Sequence, residues 1–288
     1  MHYAFLQQSS TRIRLAFLLL RLSPHLLPHY RMARRGYFSH LIKERPLDFI
    51  LKFRWDYLST GLTAHQKMLC HTAHYRLIDS RLDSSRFFQD LTQGMVLWEF
   101  HSVLRHLVIL VFRDFTDHEG ELVLEYYADN QLLYRIAFTL ASAVAFGHRQ
   151  GYCIFIGGSQ SHGSQELRRQ AARDNAEISP GMALLITLKA ISNVLGFTEI
   201  IGVKAEKQVS LATKGVARDY AYDQLWSLGY GVEGDGFYRI PLHASREVTD
   251  VVEGGHKSRT RKKRKAREDF MQFVAHQLQG FLERYRRQ

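Results

Sequence analysis

Few cysteines, few prolines and no long apolar run set the first limits on this 288-residue chain. Two cysteines, Cys70 and Cys153, exclude a disulfide framework, and Cys153 inside an apolar run reads as a reduced core residue. Five prolines and no stretch rich in Gly or Ser exclude a collagen-like or low-complexity chain and leave no linker to divide it. No apolar run approaches the ~20 residues of a membrane-spanning helix. Ala16-Phe-Leu-Leu-Leu20, between Arg14 and Arg21, is too short for a signal peptide's apolar region, and no small-residue cleavage site follows it. The expectation is a cytoplasmic protein, with attachment to the periphery of the inner membrane left open. Cys-x-x-Cys, His-Glu-x-x-His, Gly-x-Ser-x-Gly and the EF-hand loop are all missing, which removes the common zinc, serine-hydrolase and calcium chemistries.

What is present is a globular composition with a surplus of positive charge. Hydrophobic residues make up 45% and aromatics 12%, enough for a full core. The formal net charge of +11 points to an anionic partner: nucleic acid, anionic membrane lipid or a phosphorylated small molecule. Nucleic acid is the weakest reading, because no recognised reading motif accompanies the charge.

The segment Gly151–Val203 organises the rest. Tyr152-Cys-Ile-Phe-Ile156 reads as a buried strand that empties into Gly157-Gly-Ser-Gln160 and the polar turn Ser161-His-Gly-Ser164. A polar helix follows, and then a well-marked one. Ser179 is its N-cap, Pro180 its first residue, and Gly196 follows its last turn. Glu199-Ile-Ile-Gly-Val203 is a second buried strand, so the unit reads as a crossover between parallel neighbours. Ligands in such units sit at the carboxyl ends of the strands. Glycines there let phosphate approach the backbone, and a helix N-terminus favours negative charge. Gly157, Gly158, Gln160, Gly163 and Ser164 are therefore the candidate cofactor-binding residues.

Around this unit we expect a helical N-terminal cap over 1–60, an α/β domain over 61–255 and a basic helical tail over 256–288. The helix over 63–80 carries His71 and His74, which share a helical face at a spacing open to a metal, though no companion cluster stands near. His74 and Asp79 also have the His-x4-Asp spacing of glycerolipid acyltransferases. A further helix is expected over 84–106. Strands follow at Leu107–Phe112, Glu121–Tyr127 and Leu132–Leu140, the last two joined through Asp129-Asn130, which tolerate the left-handed angles of a hairpin turn. Asp219–Leu228 reads as a helix and Phe237–Leu242 as a last strand. The lysines and arginines of 257–267 are either a solvated helix face or a patch for phosphates.

His74-Tyr75, Ile156-Gly-Gly-x-Gln160, Pro180 before an apolar helix, Tyr222-Asp-x-x-Trp226, Phe237–Pro241 and the basic run resemble, in the same order, the VirK/YbjX (DUF535) proteins of Gram-negative bacteria. That resemblance covers roughly 40–285. It implies a virulence- or envelope-associated role, including resistance to antimicrobial peptides, without an established reaction. The element order of meander, central strand, glycine turn, helix, strand, helix and strand resembles the GNAT acyltransferases. The fold class expected is therefore a GNAT-like α/β (α+β) mixed sheet. The likeness implies an acyl-CoA or acyl-carrier-protein donor, with Tyr220 or Tyr222 protonating the departing thiolate and Glu125 or His162 taking the amine proton. The alternative is a non-catalytic envelope or lipid-binding factor with the same fold.

Overall fold

A computed structural model describes residues 52–54, 56–112, 118–210, 221–234, 236–242 and 257–286, with the backbone alone at Arg54, 221–222 and 257–260. Most of the expected N-terminal cap, residues 1–51, lies outside them, as does Tyr220. The described residues belong to one compact unit that begins at Lys52.

Helix α1, Ala64–Arg81, begins at a reciprocal capping box, in which Thr63 accepts from the Gln66 amide and Gln66 reaches back to the Thr63 amide. Helix α2, Ser84–Gln93, is capped by Asp83. The long helix expected over 84–106 stops here. Gly94, at φ 90°, ends it, and β1, Met95–His101, turns straight into β2, Arg105–Phe112. A bulge between Val96 and Trp98 breaks the alternation of β1, which is why its period is hard to read from sequence. Strands β3, Leu122–Ala128, and β4, Gln131–Ser142, form the expected hairpin. Asp129 and Asn130 both take positive φ, 45° and 65°, as a primed two-residue turn requires.

The central strand β5, Tyr152–Ser161, leads through α3, Gln165–Asp174, and α4, Pro180–Leu195, to β6, Ile200–Val203. Ser179 caps α4 and Gly196 closes it in the left-handed conformation, as read from the sequence. Helix α5, Ala221–Leu228, the short β7, Val232–Glu233, β8, Phe237–Ile240, and α6, Lys257–Arg284, are the last described elements. Among the described residues eight strands form one mixed sheet in the order β1-β2-β3-β4-β5-β6-β8-β7. Of these pairings β5–β6 is parallel and the others are antiparallel.

Two layers cover the sheet. Leu110, Leu122, Phe138 and Leu140 share one face by register, and α4 and α6 pack there. On the other face Phe155, Ala141 and Ile201 meet Tyr57, Leu58, Leu62 and Cys70. Cys153 joins that core, and both cysteines are free and buried. The C-terminal helix is thus part of the core rather than an appendage: Phe270, Val274 and Leu278 are buried one turn apart, while Arg261, Lys262, Arg264 and Lys265 stay exposed. Among the described residues no helix is long and apolar enough to cross a membrane.

Candidate functional site

Strand β5 outruns its parallel neighbour. Ile154–Ile156 pair with Ile200–Gly202, β6 ends at Val203, and β5 continues to Ser161. Gly157 and Gly158 therefore stand within the strand, not in a loop after it, and Gly157 is the extra residue of a bulge between Ala137 and Phe138. The glycines admit a close neighbour, and that neighbour is Glu119. A Cβ on Gly157 would lie 2.2 Å from the Glu119 carbonyl, and one on Gly158 2.0 Å from its Oε2. Gln208 Nε2 donates to Glu119 Oε1 at 3.0 Å, and Gln160 Nε2 to Oε2 at 3.5 Å. The space a phosphate was expected to enter over Gly157 and Gly158 holds this carboxylate.

Beyond the glycines a polar row crosses three strands. Glu125 on β3, Arg135 on β4 and Gln160 on β5 are successive register partners on one face. Glu125 is buried and accepts from Tyr127 Oη at 2.8 Å. His162 sits at the end of the row, its amide on the Leu133 carbonyl at 2.8 Å. Its buried Nε2 has no hydrogen-bond partner. Burial, then the charges of Arg135 and Arg168, holds the imidazole below its usual pKa against the pull of Glu125, so His162 is neutral at pH 7. Arg168 Nη1 clamps the turn by donating to the carbonyls of His162, 2.6 Å, and Gly163, 2.8 Å. Gly163 takes φ 62° and Ser164 caps α3 through the Leu167 amide. The turn 161–164 is thus rigid, electropositive and adjacent to a neutral base. Tyr222 lies at the start of α5, where only the backbone is described.

A second buried cluster lies beside the strand end, and sequence reasoning missed it. Glu121 is 1% exposed; it binds Lys52 Nζ at 3.1 Å, Tyr57 Oη at 2.8 Å and the Thr139 hydroxyl. Burial alone would raise its pKa, but Lys52 and the two hydroxyls hold it below the usual carboxylate range. His71 and His74 face this cluster. His71 Nε2 is 3.8 Å from Glu121 Oε1, and His74 Nδ1 accepts the Leu140 amide at 3.2 Å, where β4 extends past β3. Among the described residues no group of three or more His, Cys, Asp or Glu is placed to hold a metal. Asp79 instead accepts from Ser84 Oγ at 3.1 Å while His74 is fully buried, so the His-x4-Asp spacing forms no acyltransferase pair. A third set, Asp174–His106–Tyr126, has the look of a relay, with both contacts at 2.8 Å. The Tyr126 ring is fully buried, so the set ties the end of α3 to β2 and β3.

Comparison with known proteins gives one result: the family model described as "Protein of unknown function (DUF535)", the VirK/YbjX domain, matches residues 7–279. The chain belongs to the DUF535 family. No curated protein and no solved structure matches it. In this DUF535 chain the motif residues turn out to hold the fold at the strand ends. Trp226 lies on Gly202, where a Cβ would come within 2.9 Å of the indole, and its Nε1 donates to the Val203 carbonyl at 2.9 Å. Asp223 accepts the Ala205 amide at 3.2 Å. Asp223 and Trp226 of the Tyr-Asp-x-x-Trp motif therefore pin α5 to the end of β6.

Proposed function

We propose that this DUF535 protein is an acyltransferase whose donor is a CoA or acyl-carrier-protein thioester. The observation that carries the reading is the neutral His162 at the end of the Glu125–Arg135–Gln160 row, in an electropositive turn where the central strand outruns its parallel neighbour. The strand order, with one parallel pair at the crossover, supports the GNAT-like reading of the sequence. In this scheme Arg135 faces the donor's phosphates, and Arg168 positions the turn that carries Gly163 and Ser164. His162 takes the proton of an attacking amine as the new C–N bond forms and the C–S bond breaks, and Glu125 steadies the resulting imidazolium. Tyr222 returns a proton to the thiolate. The exposed cations of α6 suit an acidic carrier protein or lipid, and an envelope acceptor is in keeping with the family resemblance.

A second reading has one specific observation in its favour. Glu119 fills the space over Gly157 and Gly158 that a donor's phosphate was expected to enter, which suits a binding factor without catalysis. Purified full-length protein with a panel of CoA thioesters separates the two. Transfer requires that a thioester raise the melting temperature and that thiol be released when an amine is added. His162→Ala and Tyr222→Phe should each slow release by about 10²–10⁴-fold, the usual worth of general acid–base assistance. Thermal stabilisation without thiol release leaves the binding factor.

A further inference from the structure

The described residues line a cavity of about 770 Å³, open to solvent at one side, on the sheet face opposite the Glu125 row. Leu110, Leu122 and Phe138 form its floor, and Leu77 of α1, Ile191 of α4 and Leu278 of α6 form its walls. Each of these six is 4% exposed or less. The polar lining lies at helix ends: Arg81 closes α1, Arg286 follows α6, and Glu283, Gln279 and Ser80 stand beside them. Arg81 Nη1 donates to the Leu195 carbonyl at 3.2 Å, and the exposed guanidinium keeps its other donors. Neither arginine pairs with a carboxylate among the described residues, so two guanidinium groups and one carboxylate leave the mouth with a net positive charge.

The floor and walls are apolar, and the polar groups stand at the mouth. The volume falls within the roughly 300–1,000 Å³ of small-molecule sites, and an apolar interior with a few polar groups is their usual character. An occupant must therefore be long, apolar and uncharged along its length, with one anionic end to meet Arg81 and Arg286. We propose that this cavity binds a single long acyl chain with its carboxylate at the mouth, that is, a free long-chain fatty acid. A guanidinium pair recognises a carboxylate through charge-assisted hydrogen bonds, and the walls recognise only chain length. The site lies across the sheet from His162 and does not rest on the acyl-transfer reading.

Full-length protein stripped of lipid and titrated with palmitate tests this, read by displacement of a fluorescent fatty acid and by melting temperature. Palmitate should displace the probe and raise the melting temperature, while hexanoate, which cannot fill the cavity, should do neither. Arg81→Gln with Arg286→Gln, both at exposed positions, should weaken palmitate roughly tenfold, the order of one lost charge-assisted bond, and leave hexadecanol unchanged. Ile191→Trp, which puts a larger ring into the cavity wall, should weaken probe binding. The proposal is overturned if palmitate fails to displace the probe from the wild type. It is also overturned if the arginine variant binds palmitate and hexadecanol as the wild type does, or if folded Ile191→Trp binds the probe as tightly as the wild type.

Discussion

At the scale of single residues, His74 ties stability to pH. Its ring is fully buried, and burial first, then Lys52, lowers its pKa to about 4 against the upward pull of Glu121. The unfolded value is near 6.5. Between those values the unfolded chain holds a proton that the folded chain refuses, so stability is complete above pH 6.5, falls as pH drops, and levels off below about 4. At about 1.36 kcal/mol per pKa unit, the loss is ~3 kcal/mol. Glu121 acts in the same direction lower down: its depressed folded pKa supplies stability above the unfolded carboxylate value, lost as pH falls through the folded one. His74→Phe should cost about 1–3 kcal/mol at pH 7.5, because the Leu140 amide is left without its acceptor, yet flatten the decline between pH 6.5 and 4. Urea titrations at pH 7.5 and 4.5 measure both, and equal pH slopes in variant and wild type would remove His74 from this role.

At the scale of elements, the paired glycines of β5 serve the close passage of the Glu119 segment. Leu58, buried at φ 59°, donates its amide to the His118 carbonyl at 2.7 Å, and so binds the turn of residues 57–60 to the same segment. Gly158→Ala should cost about 1–3 kcal/mol, the range of core overpacking, because its Cβ meets the Glu119 carboxylate. Adding Glu119→Ala removes that obstacle, so the double variant should be more stable than the sum of the two single changes by an appreciable coupling energy. Gly157→Ala should show no such relief, since its Cβ meets Glu119 backbone, which survives the substitution. Thermal unfolding of the four chains in each cycle decides it; additive costs at Gly158 would show that the carboxylate is not the constraint.

For the whole molecule, α6 carries a buried apolar stripe and exposed cations on one helix. Its buried stripe of Phe270, Val274 and Leu278 packs on α4 and β1, with Phe270 meeting Trp98 edge-on at 4.8 Å. Tyr285 extends that attachment by donating to Asp90 on α2. Its first turns carry exposed cations. Neutralising Arg261, Lys262, Arg264 and Lys265 together should leave stability within about 0.5 kcal/mol, as surface changes usually do, yet weaken binding to anionic vesicles and flatten its salt dependence. Phe270→Ala should instead cost about 3–5 kcal/mol with little effect on vesicle binding. An unchanged salt slope in the fourfold variant would make the basic turns a solvated face only.

Local chemistry alone determined much of the secondary structure. Ser179, Pro180 and Gly196 bound α4, Asp129-Asn130 turns the hairpin, and the apolar runs at 152 and 199 give the parallel pair, because caps, left-handed turn residues and buried strands leave marks within a few neighbouring positions. The family motifs were legible too, but not their work: Gly158, expected to admit a phosphate, admits Glu119, and Trp226 packs on Gly202. Glu119, Glu121, Lys52 and Arg135 carry no local signal at all. Each is an ordinary charged residue until β4 and β5, α1 and the 118–121 segment bring it to one end of the sheet. The same holds for the cavity, whose walls come from α1, α4 and α6, more than a hundred residues apart at the extremes. Tertiary structure decided these sites, because burial and convergence, which set a pKa or open a pocket, are properties of residues distant in sequence and adjacent only in space.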